Sequence, residues 1–276
     1  MDLAEERING TVLTIFSTAS AVGKTVLSIN MAAELARTEA QVCLVDLDLQ
    51  FGDVCNYLQL KPEKTIADVQ QAINVQGDDC PVEEFIMPYA YEETVFYVLP
   101  APLKLEEAYN MSDKAIKTAL RRLQSMFDFV IVDTTSMFST LNLMLLDVST
   151  IVTFLGIVDF IPTIKNMKIG SDTLRSLNYD ENKLRIVLNR SDAKTRIGMK
   201  DVERLLGVPF DFILPNDFGA ASKSIKTGVP LVLDDDRTEL AQSLRELVYS
   251  YTNRSAGELH SEEKSSGGGW FSRLFG

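Results

Sequence analysis

Histidine is nearly absent from this 276-residue chain: the single one, His260, lies in a polar stretch near the C-terminus. The body of the protein therefore has no Ser-His-Asp or Cys-His relay and no His-ligated zinc. Cysteine is scarce as well. Cys43, Cys55 and Cys80 form no Cys-x-x-Cys pair, and an odd, scattered set fits a reducing compartment better than a disulfide framework. Basic residues are outnumbered, 27 against 39 acidic, for a formal net charge of −12. That balance argues against broad nucleic-acid binding, which depends on neutralising phosphates with Lys and Arg. Long uninterrupted apolar runs are missing too. The most apolar stretch, Leu141 to Ile161, contains Asn142, Asp147 and Asp159. Each Asp near the middle of a spanning helix would cost about 2.5–3.5 kcal/mol, so a buried helix followed by a strand is expected there. Met1 to Arg7 is acidic and holds no apolar run of the secretory kind, and a cytoplasmic protein is expected.

What the chain does have is alternation. Thr11–Phe16 reads as a strand and Lys24–Arg37 as a helix with Leu27, Met31 and Leu35 along one face. Val42–Val45 is near-continuously apolar, the pattern of a strand covered on both faces. Further strands are expected at Val95–Leu99, Phe129–Val132, Ile151–Leu155, Leu184–Leu188 and Phe210–Leu214. Helices are expected at Thr65–Ile73, Ser112–Met126, Pro162–Leu177, Met199–Leu206 and Glu239–Tyr251. Ser112 suits a helix N-cap and Pro162 a first helical turn. The order implies an α/β, three-layer fold, a mostly parallel central sheet with helices on both faces.

The most informative segment is Ser17-Thr18-Ala19-Ser20-Ala21-Val22-Gly23-Lys24-Thr25, between the first strand and the first helix. In that context a Gly-Lys-Thr sequence reads as a P-loop, where backbone N–H groups and a helix N-terminus gather around phosphates. Ala21, Val22, Gly23, Lys24, Thr25 and Val26 would cradle the nucleotide, Lys24 reaching the β- and γ-phosphates and the Thr25 hydroxyl binding Mg²⁺. Asp46 and Asp48 close the second strand and Asp133 closes the strand from Phe129, at the edge where α/β sheets bind ligands. Asp133 fits a carboxylate that holds Mg²⁺ through water, Asp46 joins it and Thr25 in the expected metal set, and Asp48 fits one that orients an attacking water. Any one of these aspartates alone is as well explained as the cap of a turn. Together with Lys24 and Thr25 they make a constellation.

On these residues the chain resembles the MinD/ParA superfamily of deviant Walker A ATPases from about Thr11 to Tyr251. The P-loop, Asp46 to Asp53, the Asp133 strand, Leu188-Asn189-Arg190 and Leu214-Pro215-Asn216-Asp217 occur in family order. Asp46 to Asp53 and Pro215 to Asp217 look most like the CpaE/TadZ branch, associated with Flp/Tad pilus assembly. The resemblance implies ATP and Mg²⁺ as ligands, dimerisation on ATP binding, and a cargo protein to be localised. It also implies a base site formed by Asn189, Arg190, Pro215, Asn216 and Asp217, and switch regions lined by Asp46, Asp48 and Asp133. The family loop usually runs Gly-Lys-Gly-Gly-x-Gly-Lys-Thr. Here Thr18, Ala19, Ser20 and Ala21 replace the first Gly, the signature Lys and the next two Gly. Losing a cation aimed at developing phosphate charge removes electrostatic catalysis, so a slow ATPase is expected, with Lys24 and Asp48 the catalytic pair. A non-hydrolysing nucleotide-binding scaffold and a ParA-like partitioning or division-site ATPase are the alternatives.

The composition changes after Arg254. The expected organisation is an ATPase domain over 1–254, a flexible Gly/Ser/Glu-rich linker over 255–269 and a tail over 270–276. In the tail, Trp270, Phe271, Leu274 and Phe275 fall on one side of a single helical turn beside Arg273. Such amphipathic turns lie in membrane interfaces, so peripheral contact with the inner leaflet of the cell membrane is expected. A hook for a partner protein is the alternative.

Overall fold

The apolar runs fold as the central strands of a single sheet. The computed structural model describes residues 10–180, 182–191, 198–234 and 237–252, so the linker and tail lie outside the described residues. In chain order the elements are β1 (Thr11–Phe16), α1 (Lys24–Arg37), β2 (Val42–Asp46), α2 (Val54–Tyr57), α3 (Ile66–Gln76), β3 (Met87–Tyr91), β4 (Thr94–Leu99), α4 (Leu105–Tyr109) and α5 (Asp113–Met126). There follow β5 (Phe129–Asp133), α6 (Thr140–Val148), β6 (Ile151–Gly156), α7 (Ile161–Ser176), β7 (Leu184–Leu188), α8 (Met199–Leu206), β8 (Phe212–Ile213), α9 (Phe218–Thr227), α10 (Leu231–Asp234) and α11 (Glu239–Thr252). The strand order is β3-β4-β2-β5-β1-β6-β7-β8, parallel throughout except for the β3–β4 pair.

Alternation along each strand builds the three layers. Leu13, Ile15, Leu44 and Ile131 face one core, where Leu27, Met31 and Leu35 of α1 meet Leu244 and Leu247 of α11. Val12, Cys43, Val45, Val130 and Val132 face the other, under Ile66 and Val69 of α3 and Ile116, Leu120 and Leu123 of α5. Toward the far edge, Phe154, Ile186 and Leu188 pack beneath Met167 and Leu174 of α7 and Val202 and Leu206 of α8. Helices thus cover both faces of a mostly parallel sheet, the architecture expected from the sequence.

Some expectations needed correction. The strand expected at Phe210–Leu214 pairs over only Phe212–Ile213. Edge strand β3 was not anticipated, because its MPYAY sequence has no apolar run and includes a proline, which edge strands tolerate. Ser112 does occupy the N-cap of α5, but its hydroxyl makes no cap hydrogen bond. Instead its backbone N–H donates to Gln70 Oε1 at 2.6 Å. Helix α9 was missed as well; it begins at Asp217, whose carboxylate accepts from Ala220 N at 2.8 Å.

Helix α7 lies unusually close to the sheet. A β-carbon on Gly170 would fall 2.5 Å from Thr18 Cγ2 of the P-loop and 2.8 Å from Phe154 Cζ. Gly170→Val is therefore expected to lower the unfolding free energy by about 2 kcal/mol, as overpacking does, measured by urea denaturation. Because Thr18 must move, the same variant should also bind phosphate ligands more weakly than a variant of equal stability loss made far from the loop.

Candidate functional site

The loop between β1 and α1 wraps into a turn whose path depends on two left-handed residues. Gly23 has φ 99° and Ala21 has φ 57°. For an alanine that conformation costs about 1–2 kcal/mol, and it falls where the resemblance has a glycine. Gly23 is needed for a second reason: a β-carbon there would lie 2.6 Å from Asn189 Nδ2. That amide donates to the carbonyl of Val22 at 2.8 Å, while its oxygen accepts from Arg190 N at 2.9 Å. Asn189 thus clamps the end of the P-loop to the end of β7. Helix α1 then starts at Lys24 with no acidic residue in its first turn and no side-chain cap, which leaves its free N–H groups for an anion.

Opposite the loop stand the carboxylates. β2 and β5 pair with Asp46 beside Asp133, both buried. Asp133 accepts from Thr25 Oγ1 at 2.7 Å and from Ser28 Oγ at 3.0 Å. Burial pushes its carboxyl up to about 6, although these hydroxyls and the Lys24 ammonium favour its charge. Asp46 is also raised, by burial and by the neighbouring Asp133. Its two oxygens accept from the backbone N–H groups of Asp48 (3.2 Å) and Val54 (3.1 Å), folding the intervening segment into a turn. Gly52 makes that turn possible, since a β-carbon would meet Asp46 Oδ2 at 2.6 Å. Asp48 is half-buried and accepts from Phe51 N at 3.3 Å. Lys24 is lowered by its own burial, with Asp133 and Asp48 partly restoring it. Its ammonium donates to Ser136 Oγ at 2.7 Å.

The base-site residues implied by the resemblance come together. Gly23, Val26, Asn189, Arg190, Pro215, Asn216 and Asp217 line one pocket. Its apolar wall, which sequence reasoning did not find, is Leu214, Phe218 and Ala221 with Leu240 and Leu244 of α11. The i,i+4 spacing of the last two marks a buried helix face but not what it faces. Ser28 and Ser136 were missed also, because serines carry no motif. Among the described residues no three His, Cys, Asp or Glu side chains are grouped to hold a metal by themselves. The Thr25 hydroxyl beside one carboxylate suits Mg²⁺, which keeps several waters and takes the rest of its ligands from phosphates.

Residues 10–168 match the family model described as AAA domain, and the chain belongs to that family. The chain is 27% identical to the chromosome partitioning protein ParA of Myxococcus xanthus over 269 residues, covering 89% of this chain and 90% of that one. Among solved structures it resembles a ParA family ATPase from Chlorobium tepidum, with a TM-score of 0.74 at 19% identity over 87% of this chain and 98% of the other. The Mg-ADP complex of the septum site-determining protein MinD from Pyrococcus horikoshii gives a TM-score of 0.74 at 18% identity, covering 88% and 96%.

The buried carboxylates give the fold a pH dependence. A carboxyl that titrates at about 6 in the fold against an ordinary 3.8 holds its proton more tightly folded than unfolded. Stability is therefore lost as pH rises from about 4 to about 6 and is level above that, as far as this group decides it. Asp133→Asn, whose amide can still meet the rotatable hydroxyls of Thr25 and Ser28, is expected to be more stable than the parent at pH 7 by about 2 kcal/mol. Urea denaturation at pH 4.5 and 7 checks it: the gain should be present at the higher pH and shrink at the lower.

Proposed function

We propose that this member of the MinD/ParA superfamily of P-loop ATPases binds ATP with Mg²⁺, dimerises in doing so, and localises a membrane-associated machine, an Flp/Tad-type pilus assembly being the specific cargo. The observation that carries the nucleotide reading is the continuity of the site. The clamped loop, the unoccupied N–H groups of α1, the Lys24 ammonium and the Thr25–Asp133 pair adjoin a pocket with an apolar wall suited to a base. Lys24 would neutralise the phosphates and Asn189, Arg190, Pro215, Asn216 and Asp217 would hold the base and ribose. Thr25 and Asp133 would hold Mg²⁺, with Asp46 ordering the turn beside them. Bound there, Mg²⁺ would draw charge off the terminal phosphates. Asp48 is left to orient water. Ala19 brings no cation to the phosphates, so turnover is slow.

A second copy is supported by the rim around the site. Phe51, Leu103, Met137, Phe160 and Phe218 are exposed. They stand on the segments that follow β2, β4, β5, β6 and β8, all at the carboxyl edge that carries the P-loop. Apolar side chains displayed from five segments on one edge are the signature of a surface that meets a partner. The full-length likeness to a chromosome partitioning protein favours a second reading, an ATPase that positions chromosomes or division sites. The −12 charge speaks against its direct form on duplex DNA, and a gel shift on non-specific duplex separates the two.

ATP binding is expected to be saturable and Mg²⁺-dependent and to be abolished by Lys24→Ala, with turnover below about 1 s⁻¹, under the typical range for enzymes. Sedimentation should show a dimer with ATP·Mg²⁺ and a smaller species without it. An unchanged monomer in both rejects the dimer, and faster turnover rejects the consequence drawn from Ala19.

The tail is tested separately. Trp270 is the only tryptophan, so its emission should shift to the blue on anionic liposomes, more so with ATP, and Phe271→Glu should prevent it. Two tails on one dimer make the second insertion intramolecular, which is why nucleotide should strengthen the shift. Emission unmoved at saturating lipid would leave a protein partner as the tail's target.

A further inference from the structure

The segment after β5, Thr134 to Ser139, is fixed to the rest of the fold by four contacts and touches the P-loop through Ser136. Thr134 Oγ1 donates to the carbonyl of Ile15 at 2.7 Å. Asn142 Nδ2 donates to Thr135 Oγ1 at 2.8 Å and to the carbonyl of Met137 at 2.6 Å. Phe138 packs edge-on against Phe16, ring centroids 5.0 Å apart. Ser136, between these anchors, reaches across to the loop. Its hydroxyl accepts from Lys24 Nζ at 2.7 Å and donates to the carbonyl of Ala19 at 2.9 Å. Ser17 Oγ donates to the same carbonyl at 2.8 Å and lies 3.1 Å from Ser136 Oγ.

One hydroxyl therefore joins the phosphate-site lysine of the P-loop, Lys24, to the position where the family's signature lysine is replaced, Ala19. We propose that Ser136 is a positioning residue for the phosphate site: it holds the Lys24 ammonium in place across the loop, a role the sequence pattern does not assign to it. The inference rests on the nucleotide reading above and adds a residue to it. An ammonium offers three N–H donors. With one committed to Ser136, the other two are directed rather than free to wander on a flexible four-carbon stem. The anchored turn makes this restraint stiff, because Ser136 cannot follow the lysine without breaking the contacts of Thr134, Asn142 or Phe138. Ser17 and Ser136 together also hold the Ala19 peptide, so the loop keeps its shape with neither the first three glycines nor the signature lysine of the usual pattern. Burial of Lys24 makes the acceptor matter more, since a desolvated ammonium short of a partner is costly.

The test compares the full chain with Ser136→Ala and Ser136→Thr, the second retaining a hydroxyl. Calorimetric titration with ATP·Mg²⁺ and ADP·Mg²⁺ should show ATP affinity falling about tenfold in Ser136→Ala, the scale of a hydrogen bond to a charged group. ADP should lose clearly less, because the γ-phosphate is where a wandering ammonium is missed most, and Ser136→Thr should restore both. Equal losses for ATP and ADP, or no loss, overturn the proposal. A second arm needs no nucleotide. Reductive methylation followed by peptide mass analysis should label Lys24 slowly in the parent and in Ser136→Thr and several-fold faster in Ser136→Ala. Equal labelling in all three overturns the restraint on Lys24 itself. A parent that binds no ATP while the labelling difference stands would sink the nucleotide reading, and with it the phosphate-site role, leaving only a restrained lysine.

Discussion

The carboxylate of Asp133 is where the layers of this molecule are tied to its site. Both oxygens are taken by hydroxyls one turn apart on a single helix, Thr25 and Ser28 of α1. Burying a carboxyl at a strand end is unfavourable, and the raised titration of Asp133 records that cost. What offsets it is the pair of hydroxyls and the Lys24 ammonium, all within the first two turns of the helix that the loop must lead into. The loop between β1 and α1 is therefore fixed at both ends, by a strand in the middle of the sheet and by a helix turn bonded to the neighbouring strand. Remove the carboxylate's partners and the loop would still exist, but the height of α1 against β5 would rest on apolar packing alone.

From that tie the rest of the site follows from topology. β1 lies between β5 and β6, with β2 next to β5 and β7 next to β6. Because these strands are parallel, their carboxyl ends all open on one edge, and the loops after them deliver Lys24, Asp46, Ser136 and Asn189 to one place from distant parts of the sequence. Charge is then local rather than global. The chain is strongly acidic as a whole, yet its cleft combines an ammonium with the uncapped N-terminus of a 14-residue helix. An anion is drawn to the cleft by those groups, and a chain-wide negative charge does not reverse it beyond a Debye length of about 8 Å.

How much of this was legible in the sequence depends on whether a residue's role is local. The central strands announce themselves by apolar runs because both their faces are covered, and α1 by the period of Leu27, Met31 and Leu35. The loop and its flanking aspartates could be placed from context alone, and one pocket gathers Asn189, Arg190, Pro215, Asn216 and Asp217, which the family pattern implied. Roles set by tertiary contact were not legible. β3 is a strand only because β4 pairs with it. Leu240 and Leu244 look the same in sequence whether they face a core or a cleft. Ser28 and Ser136 are ordinary serines until the fold brings them to a carboxylate and an ammonium. Asn189 was expected at a base site from the family pattern. Its hold on Val22, and hence the reason Gly23 must lack a side chain, is visible only in three dimensions.

The altered P-loop can be understood through the same distinction. In the usual pattern glycines allow the loop its left-handed turns and a lysine supplies charge, two different physical services delivered by one stretch of chain. Here they have come apart. The conformational service survives the loss of glycine: Ala21 still takes φ 57°, held by restraints from outside the loop, with Asn189 on the carbonyl of Val22 and Ser17 and Ser136 on that of Ala19. The strain of one alanine in that region, about 1–2 kcal/mol, is of the same size as what one or two such hydrogen bonds return. The electrostatic service has no such substitute at position 19, because hydroxyls orient but do not carry charge. A site that keeps its shape and one lysine can hold phosphates in the ground state, where geometry and a single cation suffice. A transition state that develops charge asks for more. On the proposed reading, binding and turnover rest on separate parts of the loop, and the loss at position 19 falls on the second.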